Sequence, residues 1–105
     1  MIYEVTATDQ ADADLRDIYK YIAFELLSPE HAAVQLERLE EHITGLERFP
    51  ERFRQYDKEP WHSRGLRVMP VDNYLVFYCL DRERCVVTVI RVMYAGRDVD
   101  SQLKD

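Results

Sequence analysis

The segment Tyr74 to Leu80 is apolar on both faces that a β-strand presents. Alternation puts Leu75, Phe77 and Cys79 on one side and Tyr74, Val76 and Tyr78 on the other. Val86 to Tyr94 behaves the same way, with Val87, Val89 and Met93 against Val86, Ile90 and Val92. Half-buried strands alternate apolar with polar residues, so two strands of this kind belong at the centre of a sheet and need cover on both sides.

The remaining elements are set by period and punctuation. Ile2 to Thr6 reads as a short opening strand, and Gly65 to Val71 as a second. Thr8 or Asp9 caps a helix, with Asp9, Asp12 and Asp14 near its positive end. Ala11, Leu15, Ile18, Tyr19, Ile22 and Leu26 form its apolar stripe. Ser28-Pro29 opens a second helix with Ala32, Leu36, Leu39, Ile43 and Leu46 inward, ending near Phe49-Pro50. Residues 50–63 have no period and form a long loop anchored by Phe53, Tyr56 and Trp61. Pro70 to Asn73 and Asp81 to Arg84 supply turns, Gly96 ends the last strand, and Val99 to Leu103 form a final turn of helix. The order β-α-α-β-β-β predicts an α+β fold: one domain over 1–105, with a helical hairpin packed on one face of a small antiparallel sheet.

One hairpin covers one face. For the other, two readings stand. Either a partner protein covers it, as tyrosines bordered by arginines suit an interface, or the loop 50–63 and the C-terminal tail fold back over it.

Charge adds a direction. Residues 9–60 carry thirteen acids and seven bases, whereas 61–97 carry six arginines against three acids, so a mildly basic half sits in a chain of net charge -6. Arginine pairs bidentately with carboxylate or phosphate, which points to an acidic partner for that half. No apolar run approaches the ~20 residues of a membrane span. The first residues lack the basic start and apolar core of a secretory signal, so the expected compartment is the cytoplasm. Cys79 and Cys85 then read as buried thiols, and His31, His42 and His62 share no metal-ligand spacing, so neither metal nor cofactor is expected.

Four segments carry a resemblance over nearly the whole chain: Ala11 to Ala23 (AxxDLxxIxxYIA), Leu46 to Pro50 (LxxFP), Gly65 to Tyr78 and Val89 to Asp98. Together they resemble the RelE/ParE superfamily, the toxins of type II toxin–antitoxin (plasmid stabilisation) modules. The resemblance implies a cytoplasmic toxin silenced by a cognate antitoxin that folds onto its surface.

The superfamily divides by mechanism. RelE-like members cut ribosome-bound mRNA, which needs a base for the 2′-hydroxyl, cations on the scissile phosphate and an acid for the leaving oxygen. Arg67, Tyr94 and Arg97 are the matching catalytic candidates, whereas Tyr74 stands where such enzymes keep a third-strand arginine and Met93 where some keep histidine. ParE-like members inhibit DNA gyrase by contact and need no catalytic set, and NYLVFY with VIRVMY fits them better. A negative chain is also slow to dock on ribosomal RNA. The ParE-like reading is therefore placed first, the RelE-like metal-independent endoribonuclease second, and a non-toxic partner-binding member third.

The partner-binding candidates are Arg64, Arg67, Tyr74, Tyr78 and Arg91. Arg67 alternates away from Leu66 and Val68, towards the presumed open face. Arg91 has the parity of Val87, Val89 and Met93, which equally fits a partly buried arginine paired with a carboxylate. Tyr94 equally fits packing at a strand end, and Arg97-Asp98 a local ion pair.

Overall fold

The computed structural model describes residues 2–96 and 98–103. Strand β1 (Glu4–Ala7) leads into helix α1 (Asp9–Lys20), which continues through a wider π turn over Tyr21–Glu25. Helix α2 (Pro29–Thr44) returns, and two short 3₁₀ turns and a loop lead to β2 (Arg67–Val71), β3 (Tyr74–Asp81), β4 (Val86–Tyr94) and a short α3 (Val99–Gln102). This is the expected α+β order. None of the described helices is long and apolar enough to cross a membrane.

The sheet runs β1-β4-β3-β2. Strands β2, β3 and β4 form the antiparallel meander, but β1 lies parallel to β4, so the sheet is mixed rather than antiparallel. The parallel pairing is fixed at the helix start. The Thr8 N–H donates to the Val89 carbonyl and Thr8 Oγ1 donates to that of Ile90, so the chain climbs along β4 before it leaves the sheet. The same Thr8 oxygen accepts the Ala11 N–H at 3.1 Å and caps α1.

The hairpin buries one face. Ala11, Leu39 and Leu46 pack against Met69, Val71, Val76, Tyr78, Val87, Val89 and Val92. A bulge between Phe77 and Tyr78 on β3 and their partners Arg91 and Val89 leaves Ile90 as an extra residue. The bulge reverses the facing of the rest of β4: Val87 and Val89 point at the helices, whereas Arg91 and Met93 fall on the other side. The parity that groups these four residues is therefore broken.

The second face is covered by the chain itself, the alternative to partner cover. Tyr56 and Leu103 pack there with Leu66, Val68, Phe77 and Met93, and Trp61 and Val99 close around them. Tyr56 meets Phe77 edge-on at 5.8 Å. The tail is pinned by Trp61 Nε1 donating to the Leu103 carbonyl at 3.2 Å, and by Tyr56 and Lys58 donating to Asp100. The faces are also exchanged relative to expectation: Tyr74, Val76 and Tyr78 look towards the helices, not away from them.

The π turn has its own effect. The Leu26 N–H bonds back to Tyr21 and the Ser28 N–H to Ile22, which adds residues to the turn and rotates the residues after it. Leu26, expected in the inward stripe, is exposed as a result, with Phe24 and Leu27 beside it.

Candidate functional site

Where β1 stops, the upper edge of β4 is open, and α1 fills the gap. Asp14 Oδ2 accepts from Arg91 Nε at 2.8 Å and from the Val92 N–H at 2.9 Å, while Oδ1 accepts from Arg91 Nη2 at 3.1 Å. One carboxylate thus satisfies a charge and an edge amide that water reaches poorly, which is how a buried acid is tolerated. Arg91 Nη1 donates to the Gln102 carbonyl, tying the tail to the same point. Arg91 is thereby the carboxylate-paired arginine, and Asp14 is far more than a favourable charge at a helix end.

Above this pair the hairpin and the sheet end diverge, leaving an open groove of about 1230 Å³. Ile18, Tyr21 and Val34 line the helical wall, and Tyr74, Met93 and Tyr94 line the sheet wall. Tyr74 and Tyr94 face each other across β3 and β4, their rings 5.8 Å apart and 74° inclined. Burial, then the nearby hydroxyls of Tyr94 and Tyr21, holds the Tyr74 pKa above its usual range. Gly96 gives the Tyr94 ring its place, since a Cβ there would lie 2.6 Å from a ring carbon.

The far wall is held by Arg38, which donates to both oxygens of Asp72 at 2.8 and 3.0 Å, with Gln35 adding a bond at 3.0 Å. These bonds, the Arg38 contact first, hold the Asp72 carboxyl below its ordinary range. They fix α2 to the β2–β3 turn, where Asp72 itself is left-handed at φ 55°. Tyr21 and Val34 are each 56% exposed and Tyr94 49%, an apolar lip with no cover from the described residues.

The groove gathers Tyr74, Tyr94 and Arg91 and leaves the other sequence candidates elsewhere. Tyr78 is a core residue: fully buried, its hydroxyl donates to the Pro50 carbonyl at 2.5 Å, and burial pushes its pKa up to about 12. Arg67 points to the helix side, as its partner Tyr78 does, and donates to the carbonyls of Glu51 and Phe53 at 3.0 and 2.6 Å. It does not lie on an open face. Arg64 is exposed in the loop, its guanidinium 5.1 Å from the Trp61 ring centre. Arg97 lies outside the described residues.

Sequence reading passed over Tyr21, Val34 and the Arg38–Asp72 clamp. Only Tyr21 left a signal: with Phe24 and Leu27 it forms an apolar set off the helical stripe.

The sequence matches the family described as ParE toxin of type II toxin-antitoxin system, parDE, over residues 5–99. The chain belongs to the ParE toxin family. Similar solved structures include the chromosomal ParDE toxin–antitoxin system from P. aeruginosa, 18% identical with a TM-score of 0.74, covering 90% of this chain and 98% of that one. The RelBE2 toxin–antitoxin complex from Mycobacterium tuberculosis is 23% identical with a TM-score of 0.65, covering 91% and 95%. The archaeal RelE-RelB complex from Pyrococcus horikoshii OT3 is 19% identical with a TM-score of 0.64, covering 92% and 99%. At these identities the likeness is one of fold. No curated protein matches the chain.

Proposed function

We propose that this ParE-family toxin acts by protein contact, with DNA gyrase as its target in the cytoplasm, and that a cognate antitoxin silences it by laying a segment into the groove. The observation that carries the choice of mechanism is the separation of the two described RNA-cutting candidates, Arg67 and Tyr94. Arg67 lies four residues along β2 from Val71, and Val71 sits two strands across from Tyr94. Strand rise and spacing put the two backbones about 16 Å apart. Groups that act on one scissile bond must each come within about 3 Å of it. Arg67 also spends a guanidinium nitrogen on two backbone carbonyls, the role of a loop brace.

The groove supports the antitoxin half of the reading. Its apolar lip, rigid floor and tyrosine hydroxyls suit an amphipathic segment that buries aliphatic side chains and bonds at one edge. Relatives of this fold are solved with their antitoxins, which fits such an occupant. Purified protein is expected to inhibit supercoiling by gyrase and to leave ribosome-bound mRNA intact. Cleavage of that mRNA, abolished by Arg67→Ala, would establish the RNA-cutting mechanism in its place.

A further inference from the structure

The opposite end of the sheet carries a second feature. Phe49 is 76% exposed and sits in the left-handed region at φ 49°, ψ 52°. That conformation is strained for an aromatic residue and easy for asparagine or glycine. Exposure gives the ring no packing in return, so within this chain Phe49 is a cost without a benefit.

The loop beneath it is nonetheless built to hold the ring outward. Arg52 Nη1 donates to the carbonyls of Arg48 and Phe49 at 2.6 and 3.0 Å, and its guanidinium lies 4.7 Å from the Phe53 ring centre. Pro50 is buried, and its carbonyl accepts the Tyr78 hydroxyl. Two further arginines lie on the same loop and its neighbour. Arg48 is exposed, and Arg82 reaches Glu51 only at 4.0 Å, with the two side chains 67% and 42% exposed. An ion pair so stretched and solvated costs little to exchange for a partner's carboxylate.

We infer that Phe49, with Arg48 and Arg82, is the surface by which this toxin holds its target protein, the ring entering an apolar pocket and the arginines meeting an acidic rim. This deepens the contact mechanism proposed above and rests on it. Exposed aromatics and arginines on a rigid base are what interface hot spots consist of. The surface lies at the Tyr78 end of β3 and the antitoxin groove at the Tyr74 end, about 13 Å further along the strand. The groove segment and the ring therefore share no residues, and silencing rests on the bulk of the bound antitoxin standing in the way of the target.

Phe49→Asn tests the idea without loss of fold, because asparagine accepts the left-handed backbone. The concentration for half-inhibition of supercoiling by purified gyrase is expected to rise at least tenfold, and to rise similarly in the Arg48→Glu, Arg82→Glu double variant. The thermal midpoint is expected to hold or rise in Phe49→Asn, since asparagine relieves the left-handed strain, and affinity for the antitoxin purified from the adjacent reading frame is expected to stay within error of the parent. Variants that inhibit as well as the parent overturn the inference and leave the gyrase reading standing. A tenfold loss of antitoxin affinity overturns it too, since the surface would then belong to the antitoxin's footprint. A parent protein that does not inhibit gyrase removes both the reading and the inference.

Discussion

Asp14 and Arg91, 77 positions apart, meet in a doubly bonded ion pair whose carboxylate also holds the Val92 amide of the unpaired upper edge of β4. Their side chains are 8% and 21% exposed. Helix α1, strand β4 and the tail all converge on this pair. It forms the floor of the groove.

Removing one partner leaves the other poorly hydrated. Asp14→Ala is expected to lower unfolding free energy by about 3 kcal/mol, read from urea denaturation. The Asp14→Leu, Arg91→Met double variant is expected to recover only part of that loss, because the uncompensated charge is gone but the Val92 amide still lacks its acceptor.

The groove lip behaves in the opposite way. Tyr21 and Val34 are exposed, so Val34→Asp should leave the thermal midpoint nearly unchanged. In calorimetric titration with the antitoxin, the same change should weaken binding at least tenfold, about 1.4 kcal/mol. Equal affinity for parent and variant would place the antitoxin elsewhere.

Two tyrosines make stability fall in alkali. Burial first, and then Asp100, lifts Tyr56 to about 12, and burial lifts Tyr78 to about 12. In the unfolded chain both ionise near the ordinary value of about 10. The folded protein therefore binds more protons across that window, and stability declines as pH rises from 10 towards 12. Tyr78→Phe and Tyr56→Phe should each flatten the decline, tracked by urea midpoints and tyrosinate absorbance.

The tail responds at the acid end. Asp100 is held low by Lys58 and by Tyr56, so it helps to dock α3 at pH values above the ordinary carboxylate range of about 4. That docking is lost as pH falls through the lowered value. Trp61, whose ring nitrogen donates to the Leu103 carbonyl, reports it through fluorescence. A signal flat down to global unfolding would show that Asp100 does not hold the tail.

Much of this molecule could be read from local pattern. Ala11, Leu15, Ile18 and Ile22 mark the first helix, Ala32, Leu39 and Leu46 the second, and the three C-terminal strands and loop anchors fall close to where composition puts them. What escaped depends on events of one residue. Ile90 as a bulge reverses the faces of Arg91 and Met93, and no period records an inserted residue. The π turn does the same to Leu26. The parallel edge strand rests on two Thr8 contacts with residues more than eighty positions away. The second face looked uncovered because Tyr56, Trp61, Val99 and Leu103 are scattered among polar neighbours and make an apolar layer only in three dimensions. Alternation puts Tyr78 and Arg67 on the presumed open face, but the helical hairpin packs on that face instead.

Tyr74 meets the Tyr94 ring edge-on at the open end of β3 and β4 and presents no cation there. Supercoiling of relaxed plasmid by purified gyrase tests the contact mechanism most directly, with parent toxin and Tyr94→Phe assayed together. Inhibition by both proteins is the predicted result. Absence of inhibition at a large molar excess, with ribosome-bound mRNA cut by the parent and spared by Tyr94→Phe, would contradict it.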